Sequence, residues 1–283
     1  MPLSDAAFQA IADLFRQLTG IRLEAAKRPL VEGRLTRLAR ELGHPDAQAC
    51  VEALLARPDA HALARLTDRL TTHETHFFRE PAHFDFLASW LPARAASAGA
   101  AARLRGWSAA CASGEEAYSL AMVIADHWPG ARWEVVGTDV SPGMVETARA
   151  GMYPIEQAAR LTPARLRRWC LRGRQDREGW MQVGPALRAQ VAFRVANLMA
   201  PPEELGTFDV ILLRNVLMYF DPAAQAALVR AVLGRLAPGG VLCTGHAESI
   251  AHLDLPPLQR LAPAVHRLAC RPGAAPENPT KSL

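Results

Sequence analysis

Residues Arg105 to Leu120 read RGWSAACASGEEAYSL and contain the central motif of this chain. Its first half is short and apolar, a tight turn follows at Gly114, and a helix begins immediately afterwards. This order is typical of the first strand–turn–helix unit of a nucleotide-type α/β sheet. Ligands in such sheets bind at the carboxyl ends of the strands, so the turn marks a candidate binding site.

The charge at this turn indicates which ligand it suits. Two carboxylates, Glu115 and Glu116, open the helix. A pyrophosphate at a helix N-terminus would be repelled by them, whereas a cationic ligand would be favoured. S-adenosylmethionine brings a sulfonium and an α-ammonium and no phosphate. A tight connection without a ligand is the alternative interpretation, because a loop with a single glycine is weak evidence.

A second strand–helix unit strengthens the interpretation. Residues 133–139 form a β-branched apolar run that ends in Asp139, and Ser141-Pro142 then cap and open a helix. Asp139 lies about 20 residues or slightly more beyond the first loop, where an acid accepts hydrogen bonds from the two hydroxyls of an adenosine ribose. The other role for such an acid, capping the helix, is already filled by Ser141.

Bulk composition bounds the class of protein. With 283 residues, half of them hydrophobic, the chain can bury more than one domain. Its five cysteines form no C-x-x-C pair, so we expect neither disulfides nor a metal site. A net charge of +4 suits an acidic partner surface but is too small to indicate nucleic acid. The chain has neither a membrane-length apolar run nor a signal-peptide pattern, so we expect a cytoplasmic protein that does not insert into membranes. We also expect a monomer.

Residues 4 to about 70 predict a small all-helical domain. Ser4 can cap a first helix that Gly20 ends, and a second helix runs from about Leu23 to Glu41. A basic row follows one face of this second helix: Lys27, Arg34, Arg37 and Arg40. Such a row is either an ordinary solvated face or a surface for an acidic partner, and both interpretations stay open.

The rest of the chain divides into a connector, a sheet and an insertion. Residues 73–102 predict a connector whose end, from Ala93, is a hinge or a loose helix end. The sheet domain spans residues 103–271, and an insertion of about 152–189 is too long for a simple loop. We expect this insertion to contain a helix beginning at Thr162 and a small antiparallel hairpin.

The later strands place polar residues at the same edge of the sheet. One predicted strand ends at Asn197-Leu198 and the next at Arg214-Asn215, as a crevice at a topological switch point requires. A helix from about Pro222 to Leu236, a turn at 238–240, a strand from 241 and a closing antiparallel pair complete the predicted domain. Residues 272–283 are expected to form a disordered tail.

Six segments together resemble one known family. They are THETHFFR (72–79), WSAACASGEEAYSL (107–120), TDVS (138–141), NL (197–198), FDVILLRNVLMYF (208–220) and GHAES (245–249). In this order they resemble the CheR-type chemotaxis protein-glutamate O-methyltransferases over about residues 15 to 270. The resemblance implies an α/β fold: a doubly wound class I methyltransferase sheet with an N-terminal helical domain (1–72) and an inserted antiparallel β-subdomain.

The activity that the resemblance implies is methyl transfer from S-adenosylmethionine to chemoreceptor glutamates, giving methyl esters and S-adenosylhomocysteine. It implies a set of cofactor-binding residues: His73, Thr75, Arg79, Gly114, Glu116, Asp139, Asn197, Leu198, Arg214 and Asn215. Arg79, near the transferable methyl, and Tyr219 are the predicted catalytic residues. His73 is a departure, because the family usually has asparagine there.

Several of these positions have a structural alternative. Arg79 could form a salt bridge that staples the connector, Asn215 could cap a helix, and Tyr219 could be a packing residue. The resemblance also gives the basic row, Lys27, Arg34, Arg37 and Arg40, a role in binding the acidic cytoplasmic helical bundle of the receptor.

In some family members the insertion docks a peptide tethered at the receptor C-terminus. Gly173, Gly179 and Arg172 match that docking loop, but its middle glycine is replaced here by Gln175. Because only glycine adopts positive φ freely, we predict that tether docking is weak or absent. The insertion would then act mainly as a lid.

Two other functions remain open from the sequence. An adaptor that binds S-adenosylmethionine without turnover would keep Asp139. A methyltransferase acting on nucleic acid would suit the basic charge, but the chain has neither an Asn/Asp-Pro-Pro-Tyr/Phe segment nor a Pro-Cys pair. A glutamate acceptor needs no general base, since its carboxylate is already ionised at neutral pH.

Overall fold

The computed structural model describes residues 3–98, 103–128 and 132–269. Its N-terminal part, within these residues, is a bundle of four helices. A 3₁₀ turn at Ala25–Lys27 leads into the second of them. The helices are α1 (Asp5–Thr19), α2 (Arg28–Glu41), α3 (Ala47–Ala56) and α4 (Ala60–Leu70). The predicted ends of α1 are confirmed: the Ser4 hydroxyl accepts from the amide of Ala7 at 3.2 Å, and Gly20 ends the helix at φ +77°.

Helical spacing of apolar residues gives this bundle its core. Ile11 and Phe15 of α1 pack with Leu35 and Leu38 of α2 and with Leu66 of α4, and all five are fully buried. The all-helical N-terminal prediction is therefore confirmed.

The described part of the connector ends in a helix. Helix α5 runs from Pro81 to Ala98, so the stretch from Ala93 to Ala98 is the end of a helix, the second of the two predicted alternatives, and not a hinge. Pro92 lies inside this helix, where it removes one backbone donor but does not end it. The remainder of the predicted connector, residues 99–102, lies outside the described residues.

Ten strands form two sheets in the described ranges of the chain. The strands are β1 (Arg103–Ala109), β2 (Arg132–Asp139), β3 (Met152–Pro154), β4 (Cys170–Arg172), β5 (Trp180–Val183), β6 (Val191–Val195), β7 (Phe208–Leu213), β8 (Leu236–Thr244), β9 (Leu258–Ala262) and β10 (Val265–Leu268). The large sheet has the order β6-β2-β1-β7-β8-β10-β9. Its strands are parallel from β6 to β8, and β10 is antiparallel to both of its neighbours. The predicted doubly wound sheet and closing antiparallel pair are confirmed.

Helices cover both faces of the large sheet. Helices α6 (Glu115–His127) and α7 (Pro142–Ala150) pack with α5 into one core, and α10 (Pro222–Leu233) packs into the other. Two boundaries differ from the prediction, since α10 ends at Leu233 and β8 begins at Leu236. The predicted turn at 238–240 is instead an irregular part of β8, next to a register shift in its pairing with β7.

The insertion is a separate three-stranded antiparallel sheet of order β3-β5-β4. Between β3 and β4 lie a 3₁₀ helix, Ile155–Arg160, and helix α8 (Pro163–Trp169), whose start is capped by Thr162 as predicted. A 3₁₀ turn at Gln175–Arg177 joins β4 to β5, and the short helix α9 (Pro185–Arg188) leads back to β6. The predicted helix and antiparallel hairpin are confirmed.

The cysteines are free thiols where the structure describes them. Cys50, Cys111 and Cys243 are buried, and Cys170 is half-buried. Cys270 and the predicted disordered tail, 272–283, lie outside the described residues. Within the described ranges, every helix is too short or too polar to cross a bilayer.

Candidate functional site

A cleft lies between the helical bundle and the carboxyl edge of the large sheet. Both parts of the chain contribute walls: α2 and the segment after α4 on one side, and the ends of β1, β2, β6 and β7 on the other. Most of the predicted site residues line it, namely Lys27, Arg34, His73, Thr75, Arg79, Glu116, Asp139, Asn197, Leu198, Arg214, Asn215 and Tyr219. Gly114, Arg37 and Arg40 do not line the cleft.

Gly114 shapes the cleft without facing it. It stands before α6 at φ +97°, and a Cβ there would lie 2.8 Å from the Cβ of Ala148. Two further residues of the turn, Ala110 and Ala112, also have positive φ, of 65° and 45°. The backbone strain of this turn is concentrated where the ends of β1 and β2 meet the cleft, as is common at functional sites.

Asp139 ends β2 and is held by two backbone amides. Its carboxylate accepts from Ala112 and from Ser141, each at 2.9 Å. Burial raises the pKa of Asp139, while these two hydrogen bonds oppose the shift. Each carboxylate oxygen can accept a second hydrogen bond, so the residue remains able to bind a pair of ligand hydroxyls. Ser141 caps α7, accepting from the amide of Met144 at 3.2 Å, which confirms its predicted role.

The two glutamates that open α6 point in different directions. Glu116 lines the cleft, and its carboxylate accepts from the Ser108 hydroxyl at 2.7 Å and from Arg214 at 2.9 Å. Glu115 is buried away from the cleft and accepts from the Ser113 hydroxyl at 2.7 Å. Burial raises the pKa of both carboxyls. The expectation that both carboxylates face a ligand is therefore wrong for Glu115.

Arg214 connects Glu116 to a residue that the sequence reasoning missed. Its side chain is fully buried, and it reaches the carboxylate of Glu80 at 3.1 Å as well as that of Glu116. It also donates to the carbonyl of Arg79 and lies over the ring of Phe84. The position of Glu80, directly after the matching segment 72–79, was the available signal for its role.

The Arg79 guanidinium forms one hydrogen bond within the described part of the chain. One terminal nitrogen donates to the carbonyl of Glu74 at 2.7 Å, and the side chain lines the cleft. Among the described residues it forms no ion pair, so the salt bridge of the structural alternative does not occur there. The hydrogen bond to Glu74 instead fixes the guanidinium at the connector.

The loop after β7 carries Asn215 and Tyr219. Asn215 has φ +57°, and its side-chain amide donates to Glu80 at 3.0 Å. The cap of α10 is Asp221, so the helix-cap alternative for Asn215 is wrong. Tyr219 lies at the junction of the two parts of the chain, with the ammonium of Lys27 5.9 Å from its ring centroid.

The loop after β6 fixes one end of the helical bundle. The Asn197 amide donates to the carbonyl of Leu18 at 2.9 Å, and its oxygen accepts from the amide of Met199 at 2.9 Å. Leu198 is buried beside it and lines the cleft. This loop therefore joins α1 to the sheet while presenting an apolar surface.

Two other contacts close the cleft from the α4 side. The carboxylate of Asp68 accepts from the Ser141 hydroxyl at 2.6 Å and from the amide of Gly143 at 3.0 Å. Arg34 donates to the carbonyls of Leu70 and Thr71, at 2.8 and 3.0 Å. The Asp68 bonds connect the bundle to the start of α7. The Arg34 bonds turn this side chain inward, away from the rest of the basic row.

His73 lies between these contacts. Its Nε2 is 2.6 Å from the hydroxyl of Thr71. Burial lowers the pKa of His73, and the nearby carboxylates of Asp139 and Asp68 only partly offset this effect. The imidazole is therefore neutral near pH 7 and offers the cleft one hydrogen-bonding nitrogen.

In the described part of the chain, the large sheet is parallel except for one antiparallel strand, β10, and β2 ends in an acid. This strand order, with an acid in place of a phosphate-binding glycine loop, is that of a class I S-adenosylmethionine-dependent methyltransferase. Comparison with known proteins agrees with this class. The CheR methyltransferase, SAM binding domain, matches residues 73–258, and the CheR methyltransferase, all-alpha domain, matches residues 6–71. The chain belongs to the CheR methyltransferase family.

Named relatives extend over most of the chain. A chemotaxis protein methyltransferase of Escherichia coli (strain K12) is 38% identical over 258 residues, covering 90% of this chain and 88% of its own length. Chemotaxis protein methyltransferase 1 of Pseudomonas aeruginosa is 33% identical over 263 residues, covering 89% and 93%. Chemotaxis protein methyltransferase 2 of Vibrio cholerae is 30% identical over 258 residues, covering 89% and 88%. The chain is thus an S-adenosylmethionine-dependent methyltransferase.

Proposed function

We propose that the protein transfers the methyl group of S-adenosylmethionine to glutamate side chains of chemoreceptors, releasing S-adenosylhomocysteine. The observation that supports this most directly is the composition of the cleft. The cleft is lined by Asp139 and Glu116, which suit a ribose and a cation, and by Arg79, which suits a carboxylate. Cofactor and acceptor would therefore meet between them.

The cofactor, when bound, supplies an electrophilic methyl group on a sulfonium. Asp139 would accept from the two ribose hydroxyls, since its oxygens retain lone pairs after binding Ala112 and Ser141. Glu116 would face the positive end of the cofactor. Asn197 and Leu198 would flank the adenine, the latter through its apolar side chain.

The acceptor carboxylate is ionised at neutral pH and needs orientation more than activation. Correct alignment alone can lower the barrier by roughly 7–11 kcal/mol. Arg79 would orient the acceptor through charge-assisted hydrogen bonds from the nitrogens that Glu74 does not engage. Tyr219, at the junction, would limit where the acceptor side chain can enter.

Receptor recognition is proposed for the exposed face of α2 and its 3₁₀ turn. Lys27, Arg37 and Arg40 are exposed there, and they would attract an acidic helical bundle by long-range electrostatics. Arg34 is half-buried against the α4 carbonyls, so its part would be to orient α2 over the cleft. Leu30, 53% exposed on the same helix, adds an apolar contact.

Docking of a tethered receptor peptide on the insertion is proposed to be weak or absent. Gln175 occupies its turn with φ +54°, a conformation that glycine adopts without strain. Gly173 is tightly enclosed, because a Cβ there would lie 1.9 Å from the carbonyl oxygen of Arg177.

We also propose that the protein is a cytoplasmic monomer that acts on the cytoplasmic part of its receptor.

Methyl transfer to a purified receptor cytoplasmic fragment tests this proposal. The full chain is incubated with labelled S-adenosylmethionine and the fragment, and methyl esters are located by mass spectrometry. Esters on glutamates are the expected result. Transfer to RNA or DNA in place of the receptor, or cofactor binding with no transfer to any of these acceptors, would overturn it.

A further inference from the structure

Three side chains with metal-ligating atoms converge beside the cleft but outside it. Glu80 directly precedes α5, His83 lies in the first turn of α5, and His246 follows β8. Their candidate ligand atoms all lie within 4.8 Å of one another. The cluster contains two histidines and a glutamate but no cysteine. The cysteine spacing, on which the expectation about metals was based, therefore could not indicate it.

His83 is the unexplained member of the cluster. Its side chain is buried, yet neither ring nitrogen has a hydrogen-bond partner among the described residues. Buried polar atoms are nearly always paired, because an unpaired one loses its hydration without compensation. Burial lowers the pKa of His83 to about 4, so its ring is neutral and offers a lone pair.

The spacing of the cluster resembles that of metal ligands more than that of a hydrogen bond. The Nδ1 of His83 is 3.5 Å from a carboxylate oxygen of Glu80. Two ligands bound tetrahedrally at about 2.0–2.1 Å from one ion are roughly 3.4 Å apart. The ring of His246 lies 4.6 Å from that of His83, centroid to centroid, and is exposed, so it can rotate inward and leaves a path for entry.

The surrounding charge permits a cation despite the nearby guanidinium. Arg214 lies between Glu80 and Glu116, so one positive charge is matched by two carboxylates. The Glu80 oxygen that faces His83 also accepts from Arg214 at 3.1 Å and from the amide of His246 at 3.2 Å, while the other oxygen accepts from Asn215 at 3.0 Å. A cation would compete with Arg214 for this oxygen.

We propose that Glu80, His83 and His246 form a binding site for Zn²⁺ or a similar divalent cation, and that its occupation inhibits methyl transfer. Two neutral imidazoles and one carboxylate are a donor set that suits zinc, with water in the fourth position. Binding would draw the Glu80 carboxylate away from Arg214 and Asn215, both of which line the cleft. The site would thus connect metal availability to the position of these two residues.

The first test measures binding directly on the tag-free, full-length protein. Co²⁺ serves as the spectroscopic probe and Zn²⁺ as the calorimetric one. We expect one equivalent of Co²⁺ to give visible bands of tetrahedral intensity. His246→Ala, which changes an exposed residue, should weaken Zn²⁺ binding about 100-fold or more, since even outer-shell changes cost about 10–100-fold. His252→Ala, also exposed, is the matched control.

The second test measures the consequence. Zn²⁺ should slow methyl transfer by the unsubstituted protein and by His252→Ala, but not by His246→Ala, each compared with its own metal-free rate. Zinc binding that His246→Ala leaves unchanged, or no stoichiometric binding at all, would overturn the site. Stoichiometric binding at these residues with an unchanged rate would overturn the inhibition.

Discussion

The carboxylate of Glu248 accepts a hydrogen bond from the backbone amide of Asn215 at 2.7 Å. It also accepts from the amides of Leu217 and Gly245, at 2.8 and 3.0 Å. One buried side chain thereby fixes the loop after β7 to the end of β8. Because Asn215 has φ +57°, the loop depends on such an external partner to keep its conformation.

Replacing Glu248 should therefore loosen this loop. Glu248→Gln keeps the size but replaces one acceptor oxygen by a donor, leaving at least one buried amide unpaired at a cost of about 1–3 kcal/mol. We expect a lower free energy of unfolding and a lower rate of methyl transfer, measured by chemical denaturation and by turnover. Glu178→Gln, at an exposed position of the insertion, is the control. If Glu248→Gln left the free energy of unfolding unchanged, the amides of Asn215, Leu217 and Gly245 would not need a carboxylate as their acceptor.

Loss of Asp139 should weaken cofactor binding strongly. Asp139→Ala removes the proposed acceptor of two ribose hydroxyls, each such bond to a charged group being worth about 1.5–3 kcal/mol. Isothermal titration with S-adenosylmethionine measures the effect, and circular dichroism checks the fold. Asp176→Ala on the exposed turn of the insertion should bind normally. Equal affinities in folded proteins would remove Asp139 from the site.

Loss of Arg79 should affect catalysis more than cofactor binding. Misplacement of an acceptor by about 1 Å can cost roughly 100-fold in rate, so Arg79→Ala should lower kcat by about that factor while the Kd for S-adenosylmethionine changes little. Tyr219→Phe should cost less. Arg194→Ala, which changes an exposed arginine of β6, is the control. Parallel losses in kcat and affinity would make Arg79 a cofactor-binding residue only.

Acid should destabilise the fold through His73. Burial lowers its folded pKa below the usual 6.5, so between these two values the unfolded chain binds the extra proton. The free energy of unfolding therefore falls as pH falls below about 6.5. Denaturation curves of the unsubstituted protein and His73→Asn isolate this effect from the other histidines. If the free energy of unfolding changed with pH equally in the two proteins, His73 would not be a source of the acid destabilisation.

The insertion should bind receptor C-terminal pentapeptides poorly. We expect calorimetry to detect no low-micromolar binding of aromatic-containing pentapeptides. Gln175→Gly should improve binding and also relieve the strain of φ +54°, which is on the order of 1–3 kcal/mol for a non-glycine residue and is partly offset by the larger chain entropy that glycine loses on folding. Low-micromolar binding to the unsubstituted protein that is lost when residues 174–178 are deleted would contradict the prediction.

Features that depend on near neighbours along the chain could be predicted from the residues alone. The turn at Gly114, the acid at the end of β2 and the cap at Ser141 follow from local backbone chemistry and from apolar periodicity. The connection of parallel strands then brings their carboxyl ends together, so Asn197, Arg214 and Asp139 could be assigned to one edge.

Which side chains at that edge point into the cleft depends on how distant elements pack. Glu115 and Glu116 are adjacent and chemically alike, but packing buries one and turns the other to the cleft. Glu80, Glu248 and His246 reach their partners from distant parts of the chain, and Asp68 does so from another domain. A single sequence holds no periodicity or spacing for such contacts, because their geometry is fixed only when separate elements pack.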